Sequence, residues 1–175
     1  NETDKVTYLT NLFNETYLKD IIERNHLRAN NSLRNIINVL CSSEGSLSNP
    51  HKISDTFRST SDKSISETTV SNYIEYLKDA FLISEAKRYH IKGKNYISAT
   101  SKFYFGFRQV EPTHIMESIL YYELLRRGWS IDVGIVNTYY MNKEGKKQRI
   151  SYEVDFVCNQ GSKRTYIQSA FAIDT

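Results

Sequence analysis

Residues 66–83 read SETTVSNYIEYLKDAFLI and decide the fold of the first half of the chain. Ser66 is a typical helix N-cap. Apolar residues then recur at helical spacing on one face: Val70, Ile74, Leu77 and Phe81. Residues 53–59 predict a shorter helix, and the polar residues 60–64 predict a turn between the two. A short helix, a turn and a longer amphipathic helix together have the layout of a helix-turn-helix.

Two strands are predicted directly after this helix, over residues 82–89 and 95–105. The residues between them include Gly93 and predict a hairpin turn. A helix-turn-helix followed by a β-hairpin predicts a winged helix. Upstream, residues 3–25 and 32–40 carry the apolar stripes of two further helices. We therefore expect residues 1–110 to form a helical and winged-helix domain.

Positive charge is concentrated in the predicted hairpin. Between Ala86 and Val110 there is no Asp or Glu, and the basic residues are Lys87, Arg88, Lys92, Lys94, Lys102 and Arg108. Aromatic residues are interleaved with them, as on a surface that follows a nucleic-acid backbone. A solvated hairpin whose lysines protect an edge strand from aggregation would show the same pattern. Acidic residues such as Glu75 and Asp79 argue against base readout by the preceding helix.

The second half of the chain predicts an α+β domain over residues 111–175. Residues 114–127 have the pattern of a helix that stops at Gly128, and Glu123 is spaced to pair with Arg127 one turn later. Strand-like segments follow at 129–137, 138–142, 151–158 and 165–173. The short polar turns between them predict a mixed, mostly antiparallel sheet.

One group of residues has the composition of a metal site. Glu117 lies on the predicted helix, and Glu153 and Asp155 alternate along one strand, so that they share a face. Gln168 follows on the next strand, where a hairpin would bring it beside Asp155. Oxygen ligands of this kind suit a hard divalent cation such as Mg²⁺.

Several separate motifs resemble one known family. They are TVSNYIEYLKDAFLI at 69–83, RYHIKGK at 88–94, Glu117 with YELLRRG at 122–128, EVDF at 153–156 and YIQ at 166–168. In this order they resemble the C-terminal region, a domain of unknown function, of a large prokaryotic family of AAA-type ATP-binding proteins. The resemblance spans roughly residues 5–173. It implies an ATPase domain upstream that binds ATP and Mg²⁺, with no cofactor in this chain. The chain begins without Met, and we expect it to be a piece of that longer protein.

The second half of that family is similar to the PD-(D/E)XK nuclease fold, which implies a set of site residues. Glu117 matches the acid on the helix and Asp155 the acid on the strand, and both would be metal ligands. Gln168 stands in place of a Glu, and Ala170 in place of the lysine that stabilises developing negative charge. We therefore expect an inactive, nuclease-like site with a weak divalent metal at Asp155.

Composition limits the remaining classes. The chain has 175 residues, of which 39% are hydrophobic and 25% charged, as in a folded protein of one or two domains. Its apolar runs reach four residues, as at 80–83, whereas a membrane span needs roughly 18 to 20. The net charge of +3 permits nucleic-acid binding without requiring it. Two isolated cysteines, Cys41 and Cys158, predict two buried thiols in a reducing compartment, the cytoplasm.

Three functions follow from these patterns. The first is a non-enzymatic module that binds DNA or a partner protein on behalf of the upstream ATPase domain. The second is a metal-dependent DNA nuclease that uses Glu117, Asp155 and the Gln168 oxygen. The third is a structural or oligomerisation module that binds no nucleic acid.

Overall fold

The computed structural model describes residues 2–27, 30–43, 45–59, 65–105 and 112–170, which form two compact units. The first unit comprises the chain up to Ser42 together with Pro50–Ile83. The second comprises Ser43–Asn49 together with the chain from Ser84 onward. Helices and a mixed sheet are both present, which confirms the predicted α+β class. None of the helices in the described ranges has the length and apolar content needed to cross a membrane.

The first unit is helical. Helix α1 (Glu2–Leu12) continues through a π-helical segment (Phe13–Leu18) into α2 (Lys19–Arg24). Helices α3 (Asn30–Ser42), α4 (Pro50–Ser59) and α5 (Glu67–Asp79) contact one another. Their buried apolar side chains are those that the helical spacing predicts, among them Leu33, Ile36, Leu40, Ile53, Phe57, Val70, Ile74 and Leu77. The predicted turn at 60–64 lies outside the described residues.

The start of α5 is fixed by the predicted cap, but its end differs from the prediction. The Ser66 hydroxyl accepts a hydrogen bond from the backbone N–H of Thr69 at 3.1 Å. The helix ends at Asp79, and Phe81 adopts a left-handed backbone conformation with φ 56°. Its ring is 91% exposed instead of continuing the apolar face. The helical pattern therefore extends beyond the helix itself.

The second unit contains a five-stranded sheet in the order β2-β1-β3-β4-β5. Its elements are β1 (Ile83–His90), β2 (Asn95–Phe105), α6 (Pro112–Arg126), β3 (Ser130–Met141), β4 (Lys147–Gln160) and β5 (Lys163–Ile167). Strand β1 runs parallel to β3, whereas β3 with β4 and β4 with β5 are antiparallel. The expected mixed, mostly antiparallel sheet is thus confirmed.

The division into two units differs from the predicted border near residue 110. The hairpin of β1 and β2 belongs to the sheet of the second unit, because Arg88, Tyr89 and His90 of β1 pair with residues of β3. The change of unit comes between Ile83 and Ser84, ahead of the hairpin. The helices and the hairpin of the predicted winged helix therefore lie in different units.

Helix α6 covers the core of the second unit. Tyr121 of α6 stacks on Tyr104 of β2 with ring centroids 4.1 Å apart. The Tyr122 hydroxyl donates to the backbone oxygen of Tyr104 at 2.9 Å. The buried cluster around this contact consists of Ala86, Tyr104, Tyr121, Ile131, Val133, Phe156 and Cys158. Both cysteines are free thiols; Cys158 is buried as predicted, which raises its pKa, whereas Cys41 is only half-buried.

Candidate functional site

A buried lysine connects the acidic residues that the sequence singles out. The Lys102 side chain is 2% exposed, and its Nζ lies 2.6 Å from Glu153 Oε1 and 3.3 Å from Glu117 Oε2. Lys102 and Tyr104 alternate on β2 and so face the same way, while Glu117 and Tyr121 are one helical turn apart on α6. Lys102 contacts Glu117, and Tyr104 stacks on Tyr121, so the ion pair lies next to the stacked tyrosines.

Strand β4 is irregular next to the acids that approach this lysine. Asp132 pairs with Val157 and Gly134 with Val154, so two residues of β4, Asp155 and Phe156, stand opposite one residue of β3. Such a bulge re-aims the side chains that follow it. Gly134 accommodates it, because a Cβ there would lie 2.8 Å from Val157 Cγ2 and 2.9 Å from Val154 Cβ. Both valines therefore lie on the face of Gly134.

Asp155 has partners of its own. It is 5% exposed, and its Oδ2 accepts hydrogen bonds from the backbone N–H of Ser169 at 2.7 Å and from the Ser169 hydroxyl at 2.6 Å. The residue that meets Asp155 is thus Ser169, and not Gln168 as the sequence predicts. Gln168 and Ala170 are both exposed. Neither therefore takes the place of the Glu or the lysine that an active site of the predicted nuclease-like kind would need.

The electrostatics of this cluster favour a charged lysine. Burial opposes the ammonium form, but the hydrogen bond that Lys102 donates to Glu153 and the charges of Glu117, Glu153 and Asp155 outweigh it and raise the pKa of Lys102. Burial, with help from the same carboxylates, also raises the pKa of Tyr104 far above its usual range. Within the described part of the chain, the Tyr104 hydroxyl has no hydrogen-bond partner.

The cluster is better suited to hold an ammonium than a metal ion. Glu117 and Asp155, the two predicted metal ligands, contact Lys102 and Ser169 respectively. Across the described ranges, the structure contains no group of three or more His, Cys, Asp or Glu side chains placed to hold a metal. An ammonium of full charge already compensates the carboxylates at the place where Mg²⁺ would be needed. We call Lys102, Glu117, Glu153 and Asp155 the acid–lysine cluster.

The predicted basic residues do not share one surface. Lys87, Lys92 and Lys94 are exposed, the last two in the turn between β1 and β2. Arg88 is half-buried, and among the described residues its Nε has no hydrogen-bond partner. Lys102 is 1% exposed, so its predicted role as a phosphate contact is corrected to that of an internal ion pair. Arg108 lies outside the described residues.

A second polar network contains residues that the sequence did not predict as site residues. The Asp132 carboxylate, 5% exposed, accepts a hydrogen bond from the Tyr96 hydroxyl at 3.0 Å. Burial raises the pKa of Asp132, against the effects of Tyr96, Arg164 and Lys87. The Arg164 guanidinium lies over the Tyr89 ring, 4.7 Å from its centroid. Tyr96 and Asp132 are 36 positions apart in sequence, and Tyr89 and Arg164 are 75 positions apart, so the pairing of strands in the sheet brings each pair together.

A cleft adjoins this network. It has a volume of 650 Å³ and opens where β1 and β3 separate, since the two strands pair only from Arg88 and Val133 onward. Glu85 and Lys87 line one side, and Ser130 and Asp132 line the other. The cleft thus presents both signs of charge and does not include the acid–lysine cluster.

Comparisons with known proteins place the chain in a family. A Haemophilus influenzae protein described as an uncharacterized protein is 33% identical over 180 residues, covering 97% of this chain and 41% of its own length. A Methanocaldococcus jannaschii protein, likewise described as uncharacterized, is 25% identical over 99% of this chain and 38% of its own length. The chain thus spans about two fifths of each relative. No solved structure matches it at a significant level. The model of the family described as Domain of unknown function (DUF8612) matches residues 1–106, and the chain belongs to that family.

Proposed function

We propose that this chain is the C-terminal, non-ATPase module of an AAA-type ATP-binding protein, and that it binds DNA without cutting it. The observation on which the proposal mainly depends is the acid–lysine cluster. Its carboxylates are compensated by an ammonium and by Ser169, so they are not free to bind the Mg²⁺ that phosphodiester cleavage would require. A nuclease-like fold that binds no metal would still bind DNA but would not cut it.

The topology of the second unit supports a nuclease-like origin. Glu117 lies on a helix that precedes three antiparallel strands, and Asp155 lies on the second of these. This order agrees with the resemblance to the PD-(D/E)XK fold. The relatives extend well beyond the matched region, which leaves room for the proposed ATP-binding domain in the full-length protein.

The exposed lysines of the first hairpin support DNA as the partner. Lys92 and Lys94 project from the turn, and Lys87 lies in the cleft. In the described part of the chain none of the three has a carboxylate within ion-pair distance, so each is available to a phosphate. Phosphate contacts of this kind supply affinity in any sequence context and weaken as salt rises.

Fluorescence anisotropy with a labelled DNA duplex over a salt series tests the binding. Lys92→Gln and Lys94→Gln should each reduce the slope of log affinity against log salt by about one. Lys19→Gln, an exposed lysine of α2, is the matched control and should leave the slope unchanged. An absence of binding at low salt would refute DNA as the partner and favour the structural or oligomerisation module.

One observation favours a second candidate, a metal-dependent nuclease. Ala170 stands where the nuclease-like site would have a lysine, but Lys102 of β2 places an ammonium among the same acids. Incubation of a plasmid with the protein and Mg²⁺ or Mn²⁺ separates the two candidates. Cleavage that Asp155→Asn abolishes would establish the nuclease, and an intact plasmid would support binding alone.

A further inference from the structure

Strands β3 and β4 extend beyond the rest of the sheet as a two-stranded ribbon. Strand β1 pairs with β3 only at Val133–Ile135, and β5 pairs with β4 only at Phe156–Gln160. From the pair Val136 and Tyr152 to the pair Met141 and Lys147, the two strands have only each other as neighbours among the described strands. Six paired positions at about 3.3 Å per residue give the ribbon a length of about 20 Å.

The two faces of this ribbon differ in charge. Tyr139 pairs with Arg149, and Met141 pairs with Lys147, so these four side chains share one face, which we call the basic face. The opposite face carries Thr138 with Ile150 and Tyr140 with Gln148, and has no charged residue. Successive side chains of a strand point to opposite faces, so the register of β3 with β4 places both charged side chains on the basic face.

The basic face is exposed and unpaired. Tyr139 is 57% and Met141 65% exposed. Lys147 lies over the Tyr139 ring, with its Nζ 4.6 Å from the centroid. No ion pair with a described carboxylate involves either Lys147 or Arg149. Both positive charges are therefore free to meet an anionic partner.

The turn at the end of the ribbon is well ordered by hydrogen bonds. Asn142 Oδ1 accepts from the backbone N–H groups of Glu144 and Lys146, at 3.1 and 2.8 Å. Gly145 takes the left-handed conformation that the turn requires, with φ 73°. Residues 137–151 contain two lysines of the turn, the two cations of the basic face and one acid. Their net charge is therefore +3 (4 − 1), equal to that of the whole chain. The charge is thus held on a preformed element, which lowers the entropy lost on binding.

We propose that the basic face of the ribbon docks into the major groove of duplex DNA, with Lys147 and Arg149 on the phosphates that border the groove. The inference rests on the proposed DNA binding and assigns it a second element. The major groove of B-form DNA, about 12 Å wide, admits a two-stranded β-ribbon, whereas the deep and narrow major groove of A-form RNA does not. A ribbon about 20 Å long is sufficient to cross one such groove.

Anisotropy with a labelled DNA duplex over a salt series tests this assignment on the whole chain. Lys147→Gln/Arg149→Gln should reduce the salt slope by about two and weaken binding at low salt by about tenfold or more. Lys5→Gln/Lys19→Gln removes two exposed charges from the first unit and should change neither quantity. Circular dichroism and thermal unfolding of each variant should match the parent, because all four side chains are exposed.

Three results would overturn the inference, and they differ from one another. If the parent binds duplex DNA and only Lys92→Gln and Lys94→Gln weaken it, the ribbon is excluded while the proposed function stands. If the parent prefers duplex RNA or single-stranded DNA to duplex DNA, groove docking is wrong. If the parent binds none of these nucleic acids, the proposed function and the inference both fail.

Discussion

Removal of the Lys102 charge is the perturbation with the largest expected effect on the second unit. The substitution Lys102→Met keeps the length and apolar volume of the side chain and leaves Glu117 and Glu153 without their cation. The side chains of these acids are only 18% and 35% exposed, so water restores part of their solvation and no more. Removing one member of a buried ion pair costs about 3–5 kcal/mol, and the partial exposure of Glu153 places the expected loss at the lower end of that range.

The pH dependence of stability gives this prediction a sign. The pKa of Lys102 is raised above its ordinary value of 10.5 in the folded state. The ion pair therefore contributes its full stabilisation below pH 10.5 and loses it as pH rises through the higher folded pKa. The parent should lose stability in this alkaline range, and Lys102→Met should lack that loss.

Urea unfolding monitored by tryptophan fluorescence measures this effect. The chain has one tryptophan, Trp129, which packs against the core of the second unit and so reports on the relevant part. Lys94→Met is the matched control, because it makes the same change at an exposed turn residue. The double variant Lys102→Met/Glu153→Gln should recover part of the loss. A loss of less than about 1 kcal/mol for Lys102→Met would refute the reasoning, since it would mean that the ammonium does not stabilise the cluster.

Three further changes have defined outcomes. Gly134→Ala should destabilise the second unit by about 1–3 kcal/mol in urea unfolding, because its Cβ would lie 2.8 Å from Val157 Cγ2; an unchanged midpoint would contradict the tight bulge. Ser66→Ala should cost about 1 kcal/mol by removing the cap of α5, measured by circular dichroism, with Ser66→Asp as the variant that preserves the cap. Tyr96→Phe should raise the pKa of Asp132 further, because the hydrogen bond from Tyr96 lowers it; an NMR titration of the carboxyl that shows a lower pKa would oppose this account.

Local patterns predicted the helices well. The N-cap at Ser66 and the apolar spacing after it locate α5, and the pair of Glu123 with Arg127, one turn apart, forms at 2.8 Å. Phe81 is the exception, since apolar periodicity continues past the point where the backbone turns. The periodicity gives the spacing of the apolar residues but does not show at which residue the helix ends.

Non-local contacts could not be predicted in the same way. Lys102 lies in a stretch without acidic residues, and its partners come from α6 and β4, which only the completed fold brings to it. The sheet pairing of β1 with β3 is parallel and joins residues 45 positions apart, as at Arg88 and Val133. Alternation along the strand gave Glu153 and Asp155 as a pair, but the bulge opposite Val133 changes the local register. The only sequence signal for that bulge is Gly134.

We propose above all that this chain binds DNA and leaves it intact. The most direct measurement is a gel analysis of a labelled DNA duplex incubated with the parent protein and Mg²⁺ or Mn²⁺ at low and at raised salt, with Asp155→Asn in parallel. We expect a retarded complex at low salt that dissociates as salt rises, the same complex with Asp155→Asn, and full-length DNA in every lane. The absence of any complex at low salt, or cleavage products that disappear with Asp155→Asn, would contradict it.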